Sequence, residues 1–303
     1  MSIVLREGAA QLALAPEVGG AIASLVLGGI DVMRPTPEAA LAAGDVRQFA
    51  CYPLVPYSNR IARGSLRTRQ GGEHELARNF GDHPHSIHGI GWQRPWSSAD
   101  VGARDATLAL DHRPAGDRDP GWPFAFRARQ HFALRAGSRR LSLFMTLAIE
   151  NSGSAPFPFG LGWHPFFPRA AGARLGFGAT GVWRNDETQL PDRWEPDPAS
   201  LRFDPPRAIG DGLIDNVFSG WRGRAELRGG PLEVRIEADR AFAYLVIYAP
   251  PGRGFVAIEP VSHMTDAFNR DARGERDTGT RMLAPGASWC GTMRVVATIP
   301  DVR

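Results

Sequence analysis

The chain of 303 residues is patterned mainly in twos. Gln11-Leu12-Ala13-Leu14-Ala15 and Ala23-Ser24-Leu25-Val26-Leu27 alternate in the period of a strand, whose successive side chains point to opposite faces. Gly28-Gly29 then predicts a tight turn into Ile30-Asp31-Val32-Met33, because glycine adopts positive φ without a Cβ clash. The pattern returns at residues 107–110, 126–134, 141–149, 232–238, 243–248, 256–258 and 293–298. Ala136-Gly137-Ser138 and Asn151-Ser152-Gly153 punctuate it as turns. Only Glu38–Ala43 has helical character, and it is short. Many short strands with frequent turns predict an all-β sandwich or barrel. The Pro-rich stretch 191–206 reads as a connecting loop within one large domain covering residues 1–303.

Composition adds limits. An apolar share of 43% suffices for a large core, and 22% charged residues is ordinary for a globular chain. All 35 basic residues are arginine, yet the net charge is only +3. No basic run is free of acids: Arg67 and Arg69 are followed by Glu73 and Glu75, and Glu226 lies between Arg222 and Arg228. A nucleic-acid partner, which calls for concentrated positive charge, is therefore not expected. Cys51 and Cys290 make no disulfide framework. No run of 18 apolar residues predicts a membrane span, and the start lacks the pattern of a signal peptide, so a cytoplasmic protein is the expectation.

Four polar clusters interrupt the alternation. In Tyr57-Ser58-Asn59-Arg60-Ile61-Ala62-Arg63-Gly64, Arg60 sits where a strand could end beside a cleft; its guanidinium suits neighbouring sugar hydroxyls, although a plain surface arginine fits as well. His83-Pro84-His85-Ser86-Ile87-His88-Gly89 invites a metal reading, with His83 and His85 on one side of a strand, but no carboxylate follows at ligand spacing. The preferred reading is a histidine bonded to a sugar, with Trp92 or Trp96 as an apolar platform; an ordinary loop is the alternative.

His164, in Gly162-Trp163-His164-Pro165-Phe166-Phe167, is either a core histidine satisfied by a backbone carbonyl or an acid tuned by apolar surroundings. Glu259 ends the apolar run Val256-Ala257-Ile258 and precedes Pro260; a carboxylate there is costly unless paired or functional. Asp215, in Gly212-Leu213-Ile214-Asp215-Asn216, could equally form a turn. Phosphate loops, dinucleotide fingerprints and Gly-x-Ser-x-Gly elbows are absent from the sequence, which favours chemistry by side chains alone.

In order, Asn59-Arg60-Ile61-Ala62-Arg63-Gly64, His88-Gly89 with Trp92, Gly121-Trp122-Pro123-Phe124, Gly162-Trp163-His164-Pro165-Phe166-Phe167, Asp215, Glu259-Pro260 and Leu283-Ala284-Pro285-Gly286 resemble the aldose 1-epimerase (galactose mutarotase-like) family. The resemblance implies a large antiparallel β-supersandwich with an open sugar cleft, a small sugar as substrate and no cofactor. It also implies Glu259 as general base, His164 as general acid, and Arg60, His88 and Asp215 as sugar-holding residues. Better-known galactose mutarotases have Thr-Asn where this chain has Gly162-Trp163, and a second glycine where it has Ile90. These departures bear on the sugar rather than the chemistry. Two rivals stay open: a sugar-phosphate epimerase on the same fold, and a carbohydrate-binding or sensing protein without catalysis.

Overall fold

Two large antiparallel sheets account for most of the computed structural model, which describes residues 2–115 and 121–301. The nine-stranded sheet is built around the long strands Phe126–Ala136, Arg140–Asn151 and Ser288–Thr298. Phe126–Ala136 alternates buried and exposed almost without exception, as expected when one face meets a core and the other meets solvent. The eight-stranded sheet is centred on Tyr244–Ala249 and Phe255–Val261, both buried nearly throughout. Such strands are covered on both faces, which explains their continuous apolar sequence.

Aromatic side chains join the two sheets. Trp163 meets Phe132 with ring centroids 5.8 Å apart, and Phe177 meets Phe218 at 4.9 Å. Phe132 is fully buried; burial on this scale is worth roughly 1.5–3 kcal/mol per large apolar side chain. The buried residues from Leu5 to Ala297 form one hydrophobic cluster. A four-stranded meander at the N-terminus, from Ile3–Glu7 to Ile30–Asp31, packs into it. Its last turn is Gly28-Gly29, with φ of 59° and 80°, the positive values that a two-residue hairpin requires.

Glu38–Ala43 is an α-helix, closed by Gly44 in the left-handed region. A second six-residue helix, Ala267–Ala272, had no legible period in the sequence. The reading of residues 191–206 as a connecting loop is corrected. Pro191–Pro196 and Phe203–Ala208 are strands, one at the edge of each large sheet, joined by the short 3-10 turn Ala199–Leu201. Prolines are tolerated there because an edge strand need not donate every N–H to a ladder.

Candidate functional site

Strand register assembles the centre of the site. Gly162 pairs with Val261, and Phe166 pairs with Ala257. Both pairs keep one register, so His164, midway between Gly162 and Phe166, lies opposite Glu259. His164 Nε2 and Glu259 Oε1 are 3.3 Å apart. On the other side Gly162 pairs with Leu54 and Trp163 with Pro53, and the His164 N–H donates to the Tyr52 carbonyl at 3.0 Å. Glu259 in turn faces Val246, and Tyr248, two residues along, pairs with both Ala257 and Asp215. Alternation therefore sends Trp163 into the core and turns Tyr52, His164, Glu259 and Asp215 toward the other face.

That face is the floor of a cavity of about 420 Å³, and all five residues singled out in the sequence line it: Arg60, His88, His164, Asp215 and Glu259. Arg60 belongs to a two-residue strand paired with Ser86–Ile87, which leads directly into His88. Arg60 Nη2 donates to Asp215 Oδ2 at 2.8 Å and to Gln189, while Nη1 donates to Asn59 Oδ1 at 3.0 Å. The Arg60–Asp215 pair is mostly buried, and neither side chain can swing freely.

Asn59 links the two ends of this wall. Its N–H donates to His88 Nδ1 at 3.0 Å, and its carbonyl accepts the His88 N–H at 2.8 Å. With Nδ1 occupied as an acceptor, a neutral His88 carries its proton on Nε2 and can donate from there. Asn59 and His88 both have positive φ, 58° and 64°, in the region where Asn and His are among the more tolerant side chains. The sequence placed Asn59 within a motif but gave no sign of this bracing role. Gln189 and Tyr248 were not singled out at all; they reach the cavity from an exposed turn and from an adjacent strand.

The expected tryptophan platform is not formed. Trp92 and Trp96 are buried and absent from the cavity lining; Trp92 Nε1 donates to the Gly89 carbonyl, which steadies the loop beneath His88. The aromatic walls are Tyr52, Phe80, Phe166, Tyr248 and Phe255. His83 and His85 also separate in role. His83 lines the cavity, whereas His85 accepts the Arg63 N–H at Nδ1 and donates from Nε2 to the Thr188 carbonyl. Both nitrogens of His85 are thus engaged by backbone. Among the described residues no three His, Cys, Asp or Glu side chains are grouped as metal ligands.

Burial dominates the electrostatics. It raises the Glu259 pKa well above the usual carboxylate range; Asp215 adds to this and Arg60 opposes it. Burial, reinforced by Arg34, pushes His164 down to about 3. His88 is also held well below its ordinary value by burial and then by His164 and Arg60. Burial thus disfavours the charged form of both members of the facing pair, carboxylate and imidazolium alike. The His164 ring is stacked on Phe166, with centroids 4.4 Å apart. His164 is buried, but it lines the cavity and faces a carboxylate. A carboxyl and an imidazole face each other on the floor of an aromatic-walled cleft, with fixed donors and a second carboxylate along one side.

Known proteins have the same framework. The crystal structure of an Escherichia coli K12 protein provisionally assigned as an aldose 1-epimerase superposes with a TM-score of 0.85, at 26% identity over 99% of both chains. A galactose mutarotase-like protein from Clostridium acetobutylicum shares the fold with a TM-score of 0.82, at 18% identity over 97% of this chain and 94% of its own. In sequence, the uncharacterised protein YphB of Escherichia coli K12 is 29% identical over 285 residues, 91% of each chain. The aldose 1-epimerase family model matches residues 1–295, nearly the whole length. On that match, carried by the same antiparallel all-β fold, the chain belongs to the aldose 1-epimerase family.

Proposed function

We propose that the protein is a mutarotase that interconverts the α and β anomers of a free aldose. The observation that carries this reading is the placement of Glu259 and His164 at one register position of neighbouring strands, 3.3 Å apart in a sugar-sized cleft. Anomer exchange needs proton transfer at two oxygens bonded to the same carbon, so its base and acid must be near neighbours.

In the reactive state Glu259 is the carboxylate and His164 the imidazolium. Glu259 takes the proton from O1, the O1 electrons form the C1=O bond, the C1–O5 bond breaks, and O5 receives the proton from His164. The open aldehyde turns about C1–C2. Ring closure on the other face returns one proton to the imidazole and one to O1, with the roles exchanged. Hydroxyls of the bound sugar hydrogen-bond the carboxylate and the imidazolium, which offsets part of the cost of burying both ions.

Arg60 fixes Asp215 so that the carboxylate presents an acceptor to sugar hydroxyls, and His88 offers its Nε2–H as a donor. Arg60→Ala should leave the fold intact and lower kcat/KM by roughly 10–100-fold, because a charged hydrogen-bonding partner is lost and Asp215 is left unpaired. Wild-type kinetics in that variant would remove Arg60 from the site. The direct test of the activity is polarimetry on freshly dissolved glucose, galactose and other aldoses, with and without exhaustive chelation. Enzyme-dependent acceleration unchanged by EDTA is expected, since each step is a proton transfer between named side chains and the sugar. Sugar binding without acceleration would make the protein a binding module, and activity lost to EDTA but restored by zinc or manganese would overturn the metal-free mechanism.

A further inference from the structure

The cleft continues past the acid–base pair. Phe255, Ala257 and Glu259 alternate onto one face of their strand, so the floor extends about 13 Å from Glu259 to Phe255, with the small Ala257 between them. Beyond it lies a second hollow of about 400 Å³, which shares Arg34, Tyr248 and Phe255 with the first and adds Arg253. Free positive charge is concentrated at this end. Arg60 is paired with Asp215 and Arg47 with Asp45, whereas among the described residues no ion pair ties Arg34 or Arg253.

Arg34 is nevertheless held in place. Its Nη2 donates to the Phe49 carbonyl at 2.8 Å and the Arg47 carbonyl at 3.1 Å, and its guanidinium lies 3.8 Å from the Phe166 ring centroid and 4.7 Å from that of Phe255. Among the described residues Arg34 Nε has no hydrogen-bond partner. A cation positioned by carbonyls and aromatic faces, but not neutralised, gains when an anion arrives.

Its position follows the sugar's own geometry. In the reaction above His164 serves O5, and O5 is bonded to C5, so the C5 substituent leaves the ring on the imidazole side. From His164 the stack runs to Phe166 at 4.4 Å and on to Arg34 at 3.8 Å.

We propose that the hollow between Arg34 and Arg253 is a subsite for an oxyanion carried on the C5 substituent of the sugar, which makes the substrate an anionic aldose. This rests on the mutarotase chemistry proposed above and, for a phosphate ester, replaces the free aldose as its substrate. A phosphate ester and a carboxylate share the chemistry, each offering oxygens to guanidinium donors.

The test compares glucose, glucose 6-phosphate and glucuronate by magnetisation-exchange NMR, which reads anomer interconversion at equilibrium. At least one anionic sugar should exceed glucose at least about 10-fold in kcat/KM, with the advantage shrinking as salt is raised. The two charged sugars distinguish a tetrahedral from a planar oxyanion. Arg253→Gln, in an exposed turn, should lower the charged-to-neutral ratio of kcat/KM about 10-fold, and Arg34→Gln should lower it at least as much. Glucose used as well as both anionic sugars, or a ratio unmoved by either variant, would overturn the subsite while leaving the mutarotase reading intact. Should no sugar be turned over, the mutarotase reading fails, and calorimetric titration with glucose and glucose 6-phosphate decides the subsite separately. Tighter binding of the phosphate that is lost in Arg253→Gln supports it, and equal binding refutes it.

Discussion

Glu259→Gln should fold as the wild type does, bind sugar, and lose on the order of 10²-fold or more in kcat. The amide keeps the shape and most hydrogen-bonding capacity of the side chain but cannot take the O1 proton. Folding is expected to survive because the wild-type carboxyl is buried and shifted toward its neutral form, so an uncharged amide suits the site. His164→Asn should be impaired to a similar degree. Since the two residues pass a proton to and from the same carbon's oxygens, the double variant should be far less impaired than the product of the single losses. Polarimetry after confirmation of folding by circular dichroism reads all three. A folded Glu259→Gln protein with near wild-type turnover would sink the mechanism and return the binding-protein reading.

The second large effect is on pH. The active pair must hold one proton, so kcat/KM should be bell-shaped, falling up to tenfold per pH unit beyond each limb. The acidic limb is uptake of a second proton. Burial of the imidazole opposes this uptake, pushing its pKa down to about 3. The alkaline limb is loss of the shared proton, governed by a carboxyl raised well above its usual range. Both apparent values belong to the pair rather than to either residue. The profile should therefore stay high through mildly acidic pH, where isolated histidine would titrate, and decline on the alkaline side. Rates are taken after subtracting the spontaneous reaction, which acid and base also accelerate. Activity that falls with an apparent pKa near 6.5 as pH is lowered would show that an exposed imidazole, not this buried pair, controls the reaction. In Glu259→Gln the carboxyl no longer sets the alkaline limb, and whatever activity remains should decline as pH rises above the lowered pKa of the His164 imidazolium.

Much of this protein was legible before its fold. Alternation located the long strands and the Gly28-Gly29 turn, and Glu38–Ala43 was recognisable as a helix. The ordered polar clusters led to Arg60, His88, His164, Asp215 and Glu259, which share one cavity. Local signals misled where local chemistry was ambiguous. The prolines of residues 191–206 suggested a loop because proline cannot donate to a ladder, yet edge strands do not demand it. Trp92 and Trp96, close in sequence to His88, suggested a sugar platform, but both are spent on packing and on backbone carbonyls.

The amino-acid sequence by itself determined the two-residue period of the long strands, and with it that neighbouring residues on a strand take opposite sides. That needs no partner strand. What alternation leaves open is which strand lies beside which, and in what register; a slip by one residue would send every side chain to the opposite face. Only the tertiary structure decided that His164 stands opposite Glu259, that Asn59 braces both Arg60 and His88, and that Asp215 closes on Arg60. It decided the proton chemistry as well. A glutamate and a histidine in a sequence carry their ordinary pKa values, and it is burial within one cavity that moves the first up and the second down.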